Sequence, residues 1–153
     1  MKFEMQIEHK IELFNEILTD LGKPTILENS NFSSSELSNE LYLELRLLCL
    51  DKNTIPMEIR ISTVDLQIGL DRVPEVYEWS NNSIDRERGK IVNFIKRLLT
   101  SPISVEYCGS NYTAFSILDS NGNIVFRTPV IQGFYLRFNC YKKLFSPIYS
   151  MLC

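Results

Sequence analysis

Apolar residues recur at three- and four-residue steps through "FEMQIEHKIELFNEILTDLG", at Ile7, Ile11, Phe14, Ile17, Leu18 and Leu21. This spacing predicts a helix with one buried face, and Gly22 followed by Pro24 predicts its end. "ENSNFSSSELSNE" is polar and reads as a loop. "LYLELRLLCL" then alternates Leu41, Leu43, Leu45 and Leu47 with polar neighbours, the period of a half-buried strand. "DKNTIP" turns the chain, and the alternation resumes. Met57, Ile59 and Ile61 share one parity, whereas Val64, Leu66, Ile68 and Leu70 take the other, which predicts a bulge or bend near Ser62 and Thr63.

"LDRVPEVYEWS" (residues 70–80) interrupts the pattern and reads as a stiff loop or structural corner. Beyond it, Ile84, Ile91, Ile95, Leu98 and Leu99 form the stripe of a second helix, with Ser83 as its expected N-cap and Pro102 just past its end. "ISVEYCG", "YTAFSILD" and "NIVFR" predict three strands, joined by "GSN" and by "DSNGN", whose Asn-Gly is a hairpin signal. "GFYLRFNCYKKLF" fits a strand or a short helix. The order of elements predicts one α+β domain over residues 1–153: an antiparallel sheet with two main helices packed against it.

Composition adds limits. A chain of 153 residues, 44% hydrophobic and 23% charged, matches an ordinary globule. No apolar run is long enough to span a bilayer and "MKFEMQIEHK" lacks a signal-peptide core, so a cytoplasmic, non-membrane protein is expected. Cys49, Cys108, Cys140 and Cys153 form no CxxC pair, and the expectation is buried thiols, without a metal or a disulfide framework. All 19 acidic residues lie at or before Asp119, whereas Arg127, Arg137, Lys142 and Lys143 follow with no acid among them. An acidic body argues against nucleic-acid binding and favours a cationic partner.

The chemistry-bearing residues are few. His9 is the only histidine, so a His-x-x-x-His metal pair is ruled out; GxGxxG, GxxxxGK[ST] and GxSxG are all missing. No cofactor is expected. Asp65, Asp71, Glu75, Glu78 and Asp85 lie close in sequence, and a pair of them would suit an acid–base enzyme or a ligand site. The other reading is protein binding. Asp71, Arg72, Glu75, Tyr77 and Glu78 combine anchor residue types with acids, and Pro74 stiffens the backbone between them. Glu4, Glu8, Glu12, Glu16 and Asp20 form an acidic row on the first helix, which leaves Glu8 and Glu12 as docking candidates unless bases such as Lys10 neutralise the row. Trp79 is expected either as a plug under the second helix or beside the interface.

With these features, the phrases "LDRVPEVYEWS", "LLTSPISVEYCGSNYTAF" and "TPVIQGFYLRF" make the chain resemble bacterial immunity proteins of contact-dependent and other polymorphic toxin systems. The resemblance implies a non-enzymatic protein that binds a cognate toxin domain and blocks its active site or substrate access. A basic nuclease is the toxin such an acidic inhibitor suits. An adaptor for some other protein partner is a further reading.

Overall fold

The computed structural model describes residues 5–28, 32–34, 42–47, 51–131 and 140–152. Helix α1 (Met5–Asp20) buries Ile7, Ile11, Leu13, Phe14, Ile17 and Leu18. It stops as the sequence predicts. Gly22 adopts φ 70°, its N–H reaches the carbonyl of Thr19, and the Lys23 N–H reaches that of Leu18, a paired closure that satisfies two carbonyls at the helix end.

Strands β1 (Phe32–Ser34), β2 (Tyr42–Leu47), β3 (Met57–Ser62), β4 (Asp65–Leu70) and β5 (Val73–Ser80) form one antiparallel sheet in sequence order. Helix α2 (Asn81–Thr100) follows. Strands β6 (Ile103–Cys108), β7 (Tyr112–Leu118), β8 (Ile124–Ile131) and β9 (Cys140–Phe145) form a second antiparallel sheet, in the order β8-β7-β6-β9. The fold is therefore α+β. It has two sheets where the sequence predicted one, and the physical reason lies at β5. Pro74 has no N–H to give a further strand, and a proline of this kind is confined to a sheet edge.

The parity switch at Ser62 and Thr63 is the bend of the two expected alternatives, a tight turn with the Ser62 hydroxyl accepting from the N–H groups of Val64 and Asp65, and Val64 at the tip is exposed. Three other sequence expectations change in detail. The bulge lies further on, between β4 and β5. There Gly69 faces Pro74 so closely that an added Cβ would stand 2.7 Å from its backbone. The segment 73–80 is a strand, because β4 offers it a pairing edge. Phe32–Ser34, within the expected loop, pairs with β2. The N-cap of α2 is Ser80 rather than Ser83, its hydroxyl accepting from the Ser83 N–H.

A single buried cluster runs through α1, α2 and both sheets. In the first sheet, Leu45, Ile59, Ile68 and Tyr77 are successive cross-strand partners, as are Leu43, Ile61, Leu66 and Trp79. In the second, Ile117, Ile103 and Phe145 continue the same core, and the row runs out to the exposed Phe126. Two contacts clasp the sheets together. Thr54 bridges to Ser146, and the hairpin tip at Asp71 and Arg72 docks on the second sheet.

Cys108 and Cys140, directly opposed on β6 and β9, form a disulfide. This corrects the expectation of free thiols. Register between distant strands brought the two cysteines together, and linear spacing carries no sign of it. Cys49 and Cys153 lie outside the described residues. Among the described residues no helix is long and apolar enough to cross a membrane.

Candidate functional site

Core rows that reach a sheet edge bring their last side chains towards the surface. Tyr77 and Trp79 end two rows at β5, Phe126 ends one at β8, and Phe94 of α2 stands between them. The Phe94 ring lies 4.9 Å from Tyr77, 5.8 Å from Trp79 and 5.0 Å from Phe126, edge-on to all three. The rings of Tyr77 and Trp79 are nearly parallel, 6.3 Å apart. Together with Val76, Ile91, Glu78, Glu87 and Lys90 they line a groove of about 480 Å³. That volume falls in the usual range of binding pockets, roughly 300–1,000 Å³. A second concavity continues past Phe94 and Phe126 to Val125, Asn93 and Arg97.

The groove has charged ends. Glu78 stands on the exposed face of β5 beside Glu75 and Asp65, and these two carboxylates raise its pKa above the ordinary value. Asp65 itself is driven up by burial, but hydrogen bonds from Ser62 and Gln67 outweigh this and hold it below the usual range. Glu87 sits where α2 departs from helical geometry (φ −124°, ψ 26°), and Lys90 reaches it at 3.5 Å.

Tyr77 is 7% exposed, which corrects the reading of an outward-facing anchor. Its hydroxyl is shut off from solvent, without a hydrogen bond among the described residues. Burial pushes its pKa far up, and Thr128 lies near enough to ease that shift but not to satisfy the donor. Trp79 is half-buried at the groove wall rather than sealed beneath α2.

Asp71 and Arg72 are also reassigned. Asp71 adopts φ 54° at the hairpin tip, gives its N–H to the Pro56 carbonyl and accepts from the Tyr107 hydroxyl at 2.8 Å. Arg72 donates to the Gly109 carbonyl and the Thr113 hydroxyl and lies over the Tyr107 ring. Both side chains hold the two sheets together, so neither is a free docking group. Of the five clustered acids, Asp65, Glu75 and Glu78 gather on one face, while Asp71 is drawn away to Tyr107. Asp85 stands on α2, near enough to Lys10 to oppose the downward pull of burial on its pKa.

The acidic row on α1 divides. Glu16 pairs with Arg88 and Asp20 with Lys96, each at 2.6 Å, whereas Glu8 and Glu12 remain exposed with His9 3.9 Å from Glu12. Lys10 does not serve the row. It is buried, and its ammonium donates to the Ser62 carbonyl. Glu4 lies outside the described residues.

Compared with protein-family models, curated proteins and solved structures, the chain has no match. Sequence reasoning missed Phe94 and Phe126. Phe94 stands beside the apolar stripe of α2 without belonging to it, and such an off-stripe aromatic was the available signal. Phe126 had none, since its neighbours are set by strand register.

Proposed function

We propose that this protein is an immunity protein of the polymorphic-toxin type: a non-enzymatic, cytoplasmic binding protein that neutralises a basic toxin domain, a nuclease in the first instance, by covering its active site or substrate path. The observation that carries this reading is the open aromatic groove with carboxylates at one end. Aromatic side chains held half-buried on a rigid scaffold are the anchor type of protein interfaces, and flanking acids steer a basic partner toward them. Glu8 and Glu12, exposed on α1, add to the negative field. Against the cytoplasmic placement stands the Cys108–Cys140 bond, since that compartment keeps most thiols reduced. Co-expression with the product of the adjacent gene is the test: the pair should co-purify, and the toxicity of the partner alone should be relieved. Toxicity unrelieved by co-expression would sink this reading.

A second reading, an enzyme or ligand-binding domain, is favoured by one observation, the raised pKa of Glu78 beside Glu75 and Asp65. A carboxyl whose pKa is raised by neighbouring carboxylates moves in the direction a general acid needs. Turnover on glycoside or phosphoester substrates that disappears in Glu78→Gln would establish it.

A further inference from the structure

Cys108 and Cys140 meet on the face of the second sheet that is turned away from the core. Val105 and Tyr107 of β6 belong to the main core, so strand alternation sends Glu106 and Cys108 the other way, and Cys108 forms a small buried cluster of its own with Tyr112 and Ala114. One carboxylate oxygen of Glu106 and the two sulfurs all lie within 4.8 Å of one another. The other oxygen, Oε2, stands 3.6 Å from the Arg127 guanidinium, which also donates to the Tyr112 hydroxyl. That leaves Oε1 turned to sulfur, 3.8 Å from Cys108 Sγ, and a disulfide sulfur has no hydrogen for it to accept.

We propose that, once the Cys108–Cys140 bond is reduced, the two thiolates and the Glu106 carboxylate bind a zinc ion, so that the disulfide is the closed state of a redox-gated metal site. Thiolates select a borderline-soft ion over calcium or magnesium, which take oxygen ligands, and the carboxylate favours zinc over cuprous copper. Zinc bonds to sulfur of about 2.3 Å in a tetrahedral site set two thiolates about 3.8 Å apart. Side chains whose Cα atoms lie 4.2 Å apart reach that separation by turning about χ1, with the strand register kept. Cys140 is exposed, which gives the ion its way in and leaves the fourth position to water. Arg127 orients Glu106 from outside, and with Lys142, opposite Glu106 in the register, it offsets the surplus charge of three anionic ligands around a dication.

The gate is opened by a dithiol reductant, the class that keeps intracellular thiols reduced. One thiolate of the reductant attacks the exposed Cys140 sulfur and Cys108 leaves as a thiolate; the second thiol of the reductant then displaces Cys140 from the mixed disulfide. Two electrons and two protons pass to the protein, and the reductant ends as a disulfide. Zinc replaces the two thiol protons as it binds. The site shares no residue with the aromatic groove, so this role and the binding role stand or fall separately.

Cobalt(II) in place of zinc reports the ligands, through a thiolate charge-transfer band and the visible bands of tetrahedral geometry. The full-length protein is reduced with dithiothreitol, desalted without oxygen, and titrated with cobalt(II) and then with zinc. One equivalent of cobalt should raise both sets of bands, and zinc should bleach them. The oxidised protein should show neither. Cys140→Ser should abolish one-to-one binding and Glu106→Gln should weaken it at least about tenfold, whereas Cys49→Ser combined with Cys153→Ser should keep it. Amide dispersion in NMR spectra checks that each variant is folded, and zinc should raise the melting temperature of the reduced protein but not that of Cys140→Ser. A reduced protein without the charge-transfer band, binding that survives in Cys140→Ser or is lost with Cys49 and Cys153, or an undiminished affinity in Glu106→Gln would overturn the proposal.

Discussion

Among the described residues the Tyr77 hydroxyl is a buried donor without an acceptor, a condition that costs on the order of 1–3 kcal/mol. Tyr77→Phe should therefore leave the melting temperature unchanged or raise it, whereas Tyr77→Ala should cost about 3–5 kcal/mol through the cavity it opens; thermal melts of the two variants measure both. Gly69 works by having no side chain. With the Pro74 backbone 2.7 Å from where a Cβ would stand, Gly69→Ala should destabilise by about 1–3 kcal/mol, read by chemical denaturation. Glu44 supplies a pH dependence. Burial acts to raise its pKa, but hydrogen bonds from Tyr42 and Arg46 win and hold it below its ordinary 4.5. A depressed carboxylate stabilises the fold fully above its unfolded pKa, and that contribution is lost as pH falls through the lower folded value. Glu44→Gln should accordingly flatten the acid limb of a stability–pH curve below about pH 4.5. The roles of Tyr77 and Gly69 were not legible in the sequence, since each depends on a neighbour brought in by pairing, Tyr77 through Ile68 and Gly69 through Pro74; the partners of Glu44 are its own second neighbours along β2 and become legible once that segment is read as a strand.

At the level of elements, α1 was legible almost to the residue, because a helix is decided locally by periodicity and its stop. Its acidic row was legible as a pattern and not as a surface. The bases that neutralise Glu16 and Asp20 come from α2, more than seventy residues away in sequence. What is left exposed defines the prediction. Glu8→Lys with Glu12→Lys should slow association with a basic partner and reduce its salt dependence, measured by stopped-flow kinetics at several ionic strengths, while removing the screened Arg88–Glu16 pair should cost at most about 1 kcal/mol in stability. Strand β5 was the element read least well. A proline and two acids in eight residues argue against a strand on propensity alone, and the edge position of β5 overrides that argument.

For the molecule as a whole, two edge strands carry opposite charge. Glu75 and Glu78 stand on β5 of the first sheet, and Lys142 and Lys143 on β9 of the second. The division into two sheets governs the order in which the chain can assemble. Every strand of the first sheet pairs with a sequence neighbour, so the five-stranded meander can close on itself as soon as residue 80 has been made. The second sheet cannot. Strand β6 lies between β7 and β9, and one of its edges stays unsatisfied until the β9 residues have been synthesised. On the ribosome the nascent protein thus passes through a stage with one finished sheet and one incomplete one, whose open backbone is a template for any passing strand. The hazard lies in the seconds of manufacture rather than in the finished fold, and slowing translation across residues 119–139 would lengthen it.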